Sequence, residues 1–446
     1  MHSYAPYVKD FEGVEIVAAA EPIRERREYF AQTYGLRPDQ CFETAEEFFA
    51  HPRMAEVAFI CTQDQQHYAH TMSALNKGYD ILLEKPISNV PEHCLTIAQE
   101  ARRLGRTVVV CHVLRYTPFY QKIKETIQSG RIGQVVSLHQ FEDVGWGHYA
   151  HSFVRGLWNN SDNTSPMILA KCCHDLDIIL WLIGENCRRV SSFGELTNFR
   201  EENAPEGSAL YCSDDCRARE SCPYDAQKIY FSDQWRWAQG AVALNPTDEK
   251  VENALKDGRY GRCVYHCNNN VVDHQVVNME FDQGITASLT MCGFTSRMTR
   301  EIKVMGTLGE ISGDMEKKKI IIRVNGQPDE QNDETTQTTE QTGQPGAENP
   351  QHRDHNQKTD AQIDVTTLST DLSGHGGGEN RLLRDLFHLT EGIVPAASAL
   401  TSIDKSVQSH VMAFAAERSR LENGRMVELQ EIYEDCRRNT GAAYVG

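Results

Sequence analysis

The first third of the chain alternates short apolar runs with segments of helical periodicity. The runs lie at residues 14–20, 57–61, 79–83 and 107–111. The helical segments lie at residues 23–34, 65–77 and 91–104. Because consecutive positions of each run are apolar, we expect strands that are covered on both faces, as in a parallel sheet between helices. The pattern predicts a doubly wound α/β domain over residues 1–112.

A different period governs the chain after residue 113. Residues 276–281 and 285–291 alternate apolar with polar side chains around an Asp-Gln-Gly turn, which predicts a hairpin with one solvent-facing side. We expect residues 113–446 to form an α+β domain with a large, mostly antiparallel open sheet. Further strands are expected at residues 301–305, 309–312 and 319–324. The helices expected to cover this sheet are residues 117–129, 168–183 and 381–391.

One segment of the second domain has a composition that cannot form a core. Between Asn325 and Asp360 the single aliphatic residue is Ala347, and the rest is mainly Gln, Thr, Glu, Asp, Asn, Gly and Pro. Such a sequence buries too little apolar surface to offset the entropy lost when it becomes ordered. We expect a disordered surface insertion at about residues 325–365.

The charge and hydropathy of the chain exclude several classes of protein. Its 446 residues include 45 Lys and Arg and 63 Asp and Glu, a net charge of −18, and an acidic chain repels the phosphates of nucleic acids. No run approaches the roughly 20 apolar residues that a membrane-spanning helix needs. The N-terminus has no secretory signal, and several of the 14 Cys lie in apolar runs, as reduced interior cysteines do. We therefore expect a cytoplasmic protein.

Four short motifs follow one another along the chain. They are Thr62-Gln63-Asp64 with His67, Glu84-Lys85-Pro86, Arg115-Tyr116-Thr117-Pro118 and His174-Asp175-Leu176-Asp177. In this order they resemble the signatures of the Gfo/Idh/MocA oxidoreductases, over nearly the whole chain apart from the insertion. The resemblance implies an N-terminal Rossmann domain, a C-terminal α/β domain with an open sheet, a nicotinamide cofactor and a sugar or cyclitol substrate. It also implies a homo-oligomer, because the open sheet of this family commonly pairs with another subunit.

The sequence departs from this family at its beginning. The family opens with a strand and a Gly-x-Gly-x-x-Gly turn, where the cofactor pyrophosphate approaches the backbone at a helix N-terminus. Here residues 2–7 already look like the helix that follows that turn. Without the central strand, two inner strand edges would lie unpaired, and the chain as written should bind NAD(H) poorly or fold badly. We expect Met1 to be an internal residue of a longer product; the alternative is a variant that has abandoned the cofactor.

Hydride transfer requires a proton carrier at the substrate hydroxyl. Lys85, at the carboxyl end of a predicted parallel strand, is the first candidate, and the alternative is a surface lysine that ends the strand. His174 is the second candidate, and the alternative is a buried structural histidine. The family often has an Asp four residues before this histidine, where the present sequence has Ala170. Lys171 would replace that carboxylate, either as a ligand of a substrate hydroxyl or as a second proton carrier.

The strand ends and the resemblance also predict contacts to the cofactor. Glu21, after the first strand, would accept hydrogen bonds from the adenosine ribose and repel a 2′-phosphate, which favours NAD over NADP. The alternative for Glu21 is an acid that caps the next helix. Arg115 would orient the cofactor or the substrate, or form an ion pair between the domains. The other candidates for cofactor contact are Thr62, Asp64, His67, Glu84 and Lys85.

Aromatic and polar side chains are mixed between residues 146 and 158, a composition that suits a carbohydrate-binding surface, an interface or a packed loop equally. A glycine-rich loop at residues 373–379 is expected to present His375 to the cleft. Asp177, three positions after His174, is a further substrate candidate, or an acid that caps and solvates the helix start. The full set of candidates for substrate contact is Trp146, His148, Arg155, Trp158, Asp177 and His375.

Five cysteines have spacings that are unusual for an intracellular dehydrogenase. Cys212, Cys216 and Cys222, the last followed by Pro, precede the pair Cys263 and Cys267. Thiolates at such spacings bind zinc, and a Cys before Pro also occurs in iron–sulfur loops. One interpretation is a structural zinc or iron–sulfur centre on Cys212, Cys216, Cys222 and Cys267. Reduced cysteines without a metal are the equal alternative, and a disulfide is the third.

These observations predict an NAD-dependent oxidoreductase that acts on a hydroxyl of a sugar, sugar acid or cyclitol. A first alternative is an NAD-dependent glycoside hydrolase, in which transient oxidation of the sugar is followed by elimination, water addition and re-reduction. A second alternative is a sugar-binding scaffold without a cofactor. The enzymatic hypotheses require the Lys85 amine and the His174 imidazole to meet across a shared crevice.

Overall fold

The computed structural model describes residues 4–326, 361–395 and 398–440. Most of the predicted insertion lies outside these residues, but its last part, Ala361–Asp364, forms a strand. The strands are β1 Ala19–Ala20, β2 Cys41–Phe42, β3 Val57–Ile60, β4 Asp80–Leu83, β5 Val108–Val110, β6 Val135–Asp143, β7 Cys187–Glu195, β8 His274–Phe281, β9 Thr286–Cys292, β10 Thr299–Gly306, β11 Gly309–Asp314, β12 Lys319–Val324, β13 Ala361–Asp364 and β14 Val427–Glu428. The helices are α1 Ala5–Val8, α2 Arg24–Tyr34, α3 Ala45–Ala50, α4 His67–Asn76, α5 Pro91–Leu104, α6 Pro118–Gln128, α7 Trp146–Tyr149, α8 Met167–Ala170, α9 Cys173–Ile183, α10 Ala226–Tyr230, α11 Gln239–Val242, α12 Asp248–Asp257, α13 Ser373–Gly376, α14 Gly378–Thr390, α15 Ile403–Leu421 and α16 Leu429–Thr440.

The parallel strands of the first domain form two separate sheets. β1 pairs with β2, and β3, β4 and β5 form a second sheet in that order. The sequence predicts one strand over residues 14–20, but only Ala19–Ala20 pair. In the described part of the chain no strand runs beside residues 14–18, so these residues have no ladder to join.

A cavity of about 760 Å³ separates the two sheets. Residues 14–20 line one side, β3 lines the other, and Phe387 and Thr390 of α14 also contact the cavity. The inner edges of β1 and β3 are therefore unpaired among the described residues, as the sequence analysis anticipated. The interruption lies at the centre of the doubly wound strand order.

The second domain is built on one large sheet. As described, its nine strands follow the order β13-β12-β11-β10-β6-β9-β8-β7-β14. β6 and β9 run parallel, and every other neighbouring pair is antiparallel. In β8 the residues Gln275, Val277, Met279 and Phe281 alternate with more exposed ones, as a sheet with one covered face requires. The prediction of a large, mostly antiparallel sheet is confirmed.

Helices cover one face of this sheet. α15 packs on β7 and also contacts α9 and α5, so it joins the two domains. The predicted helix at residues 168–183 is divided into α8 and α9, because Lys171 and Cys172 fall between them. The predicted helix at residues 381–391 covers the other domain instead: Leu382 and Leu386 of α14 share an apolar cluster with Leu82 and Val109. That assignment from sequence was wrong, since periodicity shows that a helix has an apolar face and not which sheet receives it.

Residues 196–273 connect β7 to β8 without joining the large sheet, and this connecting segment is called the 196–273 excursion. They contain α10, α11 and α12 with short 3₁₀ turns, and the longest of these helices has 10 residues. One isolated antiparallel bridge, between Tyr211 and Arg262, links the two ends of this excursion.

No helix in the described ranges is both long and apolar enough to cross a membrane.

Candidate active site

Lys85 extends from the carboxyl end of β4 toward the second domain. Its Nζ donates a hydrogen bond of 3.0 Å to the carbonyl oxygen of Ala170. Ala170 is the last residue of α8, where carbonyl groups have no partner within the helix. Among the described residues no carboxylate forms an ion pair with Lys85. The ammonium group is thus positioned by a neutral acceptor and keeps donors for a further oxygen.

His174 lies in the first turn of α9, four residues after the carbonyl that holds Lys85. It is 4% exposed, and within the described structure its Nδ1 has no hydrogen-bond partner. Burial, and then the charges of Lys85, His112 and His375, hold the pKa of His174 well below its usual range. The imidazole is therefore neutral near pH 7 and has a free nitrogen that can accept a proton.

Lys171 belongs to a network of charged side chains that also contains Glu142, Arg300 and Asp175. Its Nζ lies 3.3 Å from Oε1 of Glu142, whose other oxygen lies 2.7 Å from Nη2 of Arg300. Arg300 also donates a hydrogen bond of 2.9 Å from Nε to Asp175, which accepts a second one of 2.6 Å from Gln140. Burial raises the pKa of Asp175 to about 6, against the opposing charge of Arg300. Lys171 thus already has a carboxylate partner, unlike Lys85.

Asp177 and Arg115 form an ion pair with each other. Arg115 donates from Nε and Nη2 to both carboxylate oxygens of Asp177, at 2.7 and 2.6 Å, and both side chains are almost fully buried. The predictions of a substrate contact for Asp177 and a cofactor contact for Arg115 are not supported by this geometry. The alternative for Arg115 was an ion pair between the domains, whereas the observed ion pair lies within residues 113–446 and does not join the two domains.

His375 lies close to His174. The two ring centres are 5.9 Å apart. His375 Nδ1 is 2.5 Å from Oε1 of Glu379, whose side chain is only 4% exposed. Although burial opposes it, the hydrogen bonds and charge of His375 hold the pKa of Glu379 below its usual value. Gly374 has a φ of +54°, and a Cβ there would lie 2.8 Å from this carboxylate, so the turn needs glycine.

His148 is the histidine of the aromatic stretch whose pKa depends on the charge of Lys171. Burial, and then the charge of Lys171, hold the pKa of His148 well below its usual range, and its Nδ1 has no partner among the described residues. Trp146 instead packs against Tyr224 and Trp235, with ring centres 6.0 and 5.8 Å apart. For Trp146 the geometry agrees with a packed loop, which was one of the alternatives.

Asp64 and Trp158 contact each other across the domains. Trp158 Nε1 donates to Oδ1 of Asp64 at 3.3 Å, and Ser165 Oγ donates to Oδ2 at 2.7 Å. Asp64 is 4% exposed. The side chains of Asp64 and Trp158, predicted to contact ligands, therefore hold the second domain against the end of β3.

The remaining predicted cofactor residues lie at the carboxyl ends of the parallel strands. Glu21 accepts a hydrogen bond of 2.9 Å from the backbone N–H of Ile23, which is itself the N-cap residue of α2, so the predicted capping of that helix by Glu21 is not observed. His67 places its two ring nitrogens 2.7 Å from the Pro86 carbonyl and 3.0 Å from the Thr62 carbonyl, so it joins the ends of β3 and β4. Glu84 accepts from the Lys85 N–H at 3.0 Å.

These strand ends fit a nicotinamide dinucleotide in part. A doubly wound sheet holds its ligand at this edge, and the half-exposed Glu21 and the amine of Lys85 suit the ribose and the reacting end of such a cofactor. In residues 4–326, 361–395 and 398–440, however, no glycine-rich turn joins a parallel strand to the following helix, so the described residues offer no cradle for the pyrophosphate.

The surroundings of Arg155 do not support the predicted contact with substrate. It is 1% exposed and lies among the cysteines of the 196–273 excursion, where Nη2 donates to the Tyr224 carbonyl at 2.6 Å. In the part of the chain that is described, no three His, Cys, Asp or Glu side chains stand close enough together to hold a metal ion. The predicted set of Cys212, Cys216, Cys222 and Cys267 is thus not seen as a formed site.

Sequence reasoning missed Glu142, Arg300 and Glu379. A signal for Glu142 existed: Leu138, Gln140 and Glu142 are in phase, which places two polar side chains on the apolar face of a strand. Arg300 is the cross-strand partner of Glu142, a register that only the folded sheet defines. Glu379 follows His375 by four residues, but the irregular turn between them hid the pairing.

The chain thus combines a doubly wound domain with an open-sheet domain, and the Lys85 amine of the first contacts the Ala170 carbonyl of the second. The family model described as "Oxidoreductase family, NAD-binding Rossmann fold" matches residues 2–112, and the one described as "Oxidoreductase family, C-terminal alpha/beta domain" matches residues 124–376. The chain belongs to the Gfo/Idh/MocA family of oxidoreductases.

Among similar proteins, YteT of Bacillus subtilis is 26% identical over 271 residues, which are 57% of this chain and 59% of YteT. Inositol 2-dehydrogenase of Salmonella typhimurium is 24% identical over 182 residues, 41% of this chain and 50% of that enzyme. D-glucoside 3-dehydrogenase of Escherichia coli is 24% identical over 158 residues, 34% of this chain and 44% of that enzyme. The chain thus matches about half the length of these relatives.

Solved structures share the fold over almost the entire chain. An oxidoreductase from Agrobacterium radiobacter, in complex with NAD⁺, L-tartaric acid and magnesium, has a TM-score of 0.64 at 14% identity and covers 96% of this chain and 95% of its own. An oxidoreductase domain protein from Kribbella flavida has a TM-score of 0.66 at 14% identity, with the same coverage. At these identities the likeness establishes the fold.

Proposed function

We propose that this protein is an NAD-dependent dehydrogenase that oxidises a hydroxyl group of a sugar, sugar acid or cyclitol. The family supports the reaction class, and the names of the inositol and glucoside dehydrogenases among its relatives support the substrate class. A bound NAD would supply the carbon that accepts the hydride. The residues of this chain would bind the hydroxyl, orient it and remove its proton.

The contact between Lys85 and Ala170 carries the proposal. A hydrogen bond of 3.0 Å brings an amine from the first domain to the turn that precedes His174 in the second. The charge of Lys85 is also the largest influence on the pKa of His174 after burial, which indicates that the two groups are neighbours. These two observations support a site in which the Lys85 amine and the His174 imidazole act on one substrate hydroxyl.

The two groups have complementary roles. His174, neutral near pH 7 and with a free Nδ1, would accept the proton of the substrate hydroxyl. Lys85 would donate a hydrogen bond to the same oxygen and hold it in place while the proton leaves. His148 has a second unpartnered nitrogen near Lys171, and it would bind a neighbouring hydroxyl.

The test is an assay of NADH formation by absorbance, on the purified chain, with myo-inositol, a methyl glucoside and a hexuronic acid as separate substrates. Because the described residues offer no cradle for the cofactor pyrophosphate, we expect NADH to accumulate with at least one of them only when NAD is supplied at high concentration. Lys85→Met should lower kcat by about 10²–10⁴-fold, the usual contribution of a positioned proton-handling group. Lys303→Met is the matched control, since Lys303 is half-exposed in an ion pair with Glu310 on the large sheet and should retain full activity.

Other outcomes would replace the proposal. Cleavage of an aryl glycoside without net NADH formation would support the redox-assisted hydrolase. Binding of a sugar with no change in nicotinamide fluorescence on adding NADH would support a cofactor-free scaffold. Equal activity of Lys85→Met and the parent protein would contradict the assigned role of Lys85.

A further inference from the structure

Four cysteines surround one small cavity in the 196–273 excursion. Cys212, Cys216, Cys222 and Cys263 all line it. Its volume is about 10 Å³, which is close to the space that one water-sized sphere occupies. A single ion fits this volume, whereas an iron–sulfur cluster is much larger.

The backbone fixes two of these cysteines relative to each other. Cys212 and Cys263 each follow one residue of the bridge between Tyr211 and Arg262. Hydrogen bonds of 2.9 Å made by the N–H groups of Cys212 and Cys263 lie on the two sides of that bridge. Since side chains alternate between faces along an extended chain, both thiols project from the face opposite Tyr211 and Arg262.

Arg155 adds an independent sign that a negative charge belongs in this cavity. Its guanidinium lines the cavity and is 1% exposed. Nε and Nη2 donate to the carbonyl groups of Arg262 and Tyr224, Nη2 is also 3.6 Å from the sulfur of Cys212, and Nη1 has no partner among the described residues. In the same part of the chain no carboxylate forms an ion pair with it. A buried guanidinium without a carboxylate partner favours an anion beside it.

We propose that Cys212, Cys216, Cys222 and Cys263 bind one Zn²⁺ ion in a structural site, with Arg155 as the counter-charge of the thiolates. Each thiol loses its proton to solvent when it binds, and four thiolates with one Zn²⁺ carry a charge of −2. Arg155 lies beside that charge, since its Nη2 is 3.6 Å from the sulfur of Cys212. The sulfurs line the cavity without converging on one point, and rotation about χ1 gives each of them other staggered positions.

Cys263 replaces Cys267 in the set predicted from sequence. The thiol of Cys267 donates to the Cys263 carbonyl at 3.3 Å, and Cys267 does not line the cavity. A metal site would also stabilise the surrounding segment. The excursion has no sheet of its own and no helix longer than 10 residues, and small, irregular segments of this kind are commonly held together by a metal.

The experiment measures metal content in the intact chain, expressed with zinc in the medium and freed of any metal-binding tag. We expect about one zinc per chain by mass spectrometry of the elements. Replacement by Co²⁺ should give the intense visible bands and the near-ultraviolet sulfur-to-cobalt band of tetrahedral thiolate coordination. Cys216→Ser and Cys222→Ser should each lose most of the bound zinc, because three thiolates hold the ion less tightly than four.

Two variants act as matched controls. Cys267→Ser and Cys41→Ser should retain one zinc per chain, since neither side chain lines the cavity. Iron with acid-labile sulfide, a disulfide among the four cysteines, or four thiols that react freely in the native protein with no bound zinc would each overturn the proposal. Circular dichroism of every variant separates loss of zinc from loss of the fold.

Discussion

Buried cations are neutralised differently at the domain junction and in the cysteine cavity. At the junction, Arg115 meets both oxygens of Asp177, and Arg300 meets Asp175 and Glu142. In the cavity, Arg155 meets carbonyl groups and a thiol, and no carboxylate of the described chain. The first arrangement is complete by itself and serves the structure. The second is incomplete, which is why it indicates a ligand.

The same contrast separates the two lysines of the candidate active site. Lys171 lies 3.3 Å from a Glu142 oxygen, whereas Lys85 is held by a carbonyl group alone. A lysine already paired with a carboxylate is a poor donor to a substrate, because binding the substrate would have to compete with that pair. Lys85 is therefore the stronger candidate for the proposed catalytic role, and Lys171 is better explained as a support for the charges around Arg300.

The largest effect is expected from breaking the completed arrangement. Arg115→Met leaves the carboxylate of Asp177 buried without a partner, and we expect it to lower the free energy of unfolding by about 3–5 kcal/mol. Urea denaturation followed by circular dichroism measures this loss. Arg115→Met combined with Asp177→Asn should lose less than the sum of the two single variants. A loss below about 1 kcal/mol for Arg115→Met would show that the pair is not the support we infer.

The next largest effect is expected on the pKa of His174 when its neighbour Lys85 is replaced. Because burial and neighbouring cations keep the pKa of His174 below 6.5, its basic form predominates at neutral pH, and the acid limb of kcat/KM should lie below pH 6.5. Lys85→Met removes a positive neighbour, which favours the imidazolium form. The pKa of His174 should therefore rise in that variant. A titration of the histidine ring by NMR checks this, and an unchanged pKa would place the two groups apart.

The smallest effect is expected at an exposed ion pair. Lys303 and Glu310 approach to 2.8 Å on the large sheet, with Lys303 46% exposed and Glu310 29% exposed. Solvent screens such a pair, so Lys303→Ala should change the free energy of unfolding by less than about 1 kcal/mol. The same urea titration applies. A loss comparable to that of Arg115→Met would remove the distinction between buried and exposed pairs on which the comparison rests.

Much of the fold could be predicted because it depends on local patterns. The helix at Pro91–Leu104 and the strand at Lys319–Val324 agree with prediction at both ends, since a proline start and a glycine stop mark the helix and a run of three isoleucines marks the strand. β6 and β7 were missed, although both contain alternating residues. Polar side chains on the inner face of β6, Gln140 and Glu142, broke the apolar pattern there.

The candidate site was predictable where a residue could be recognised by its motif. Lys85 and His174 were selected in this way and His375 by its place in a glycine-rich loop, and their roles stay predictions, as do the oligomeric state and the cellular location. Arg155 and Asp177 were assigned to substrate from residue type and spacing, and the structure uses both side chains internally. Residue type states what a side chain can bind, and the fold decides which partner reaches it first.

The amino-acid sequence alone determined the two-domain class, the order of most helices and strands, and the motifs at Lys85 and His174. These follow from periodicity and from residues adjacent in the chain, whose geometry is short-ranged. The tertiary structure decided that Arg115 and Asp177 neutralise each other, that the Lys85 amine contacts a carbonyl group and no carboxylate of the described residues, and that four cysteines share one cavity with Arg155. Such pairings join residues far apart in the chain, and their energies depend on burial and distance, which no local pattern contains.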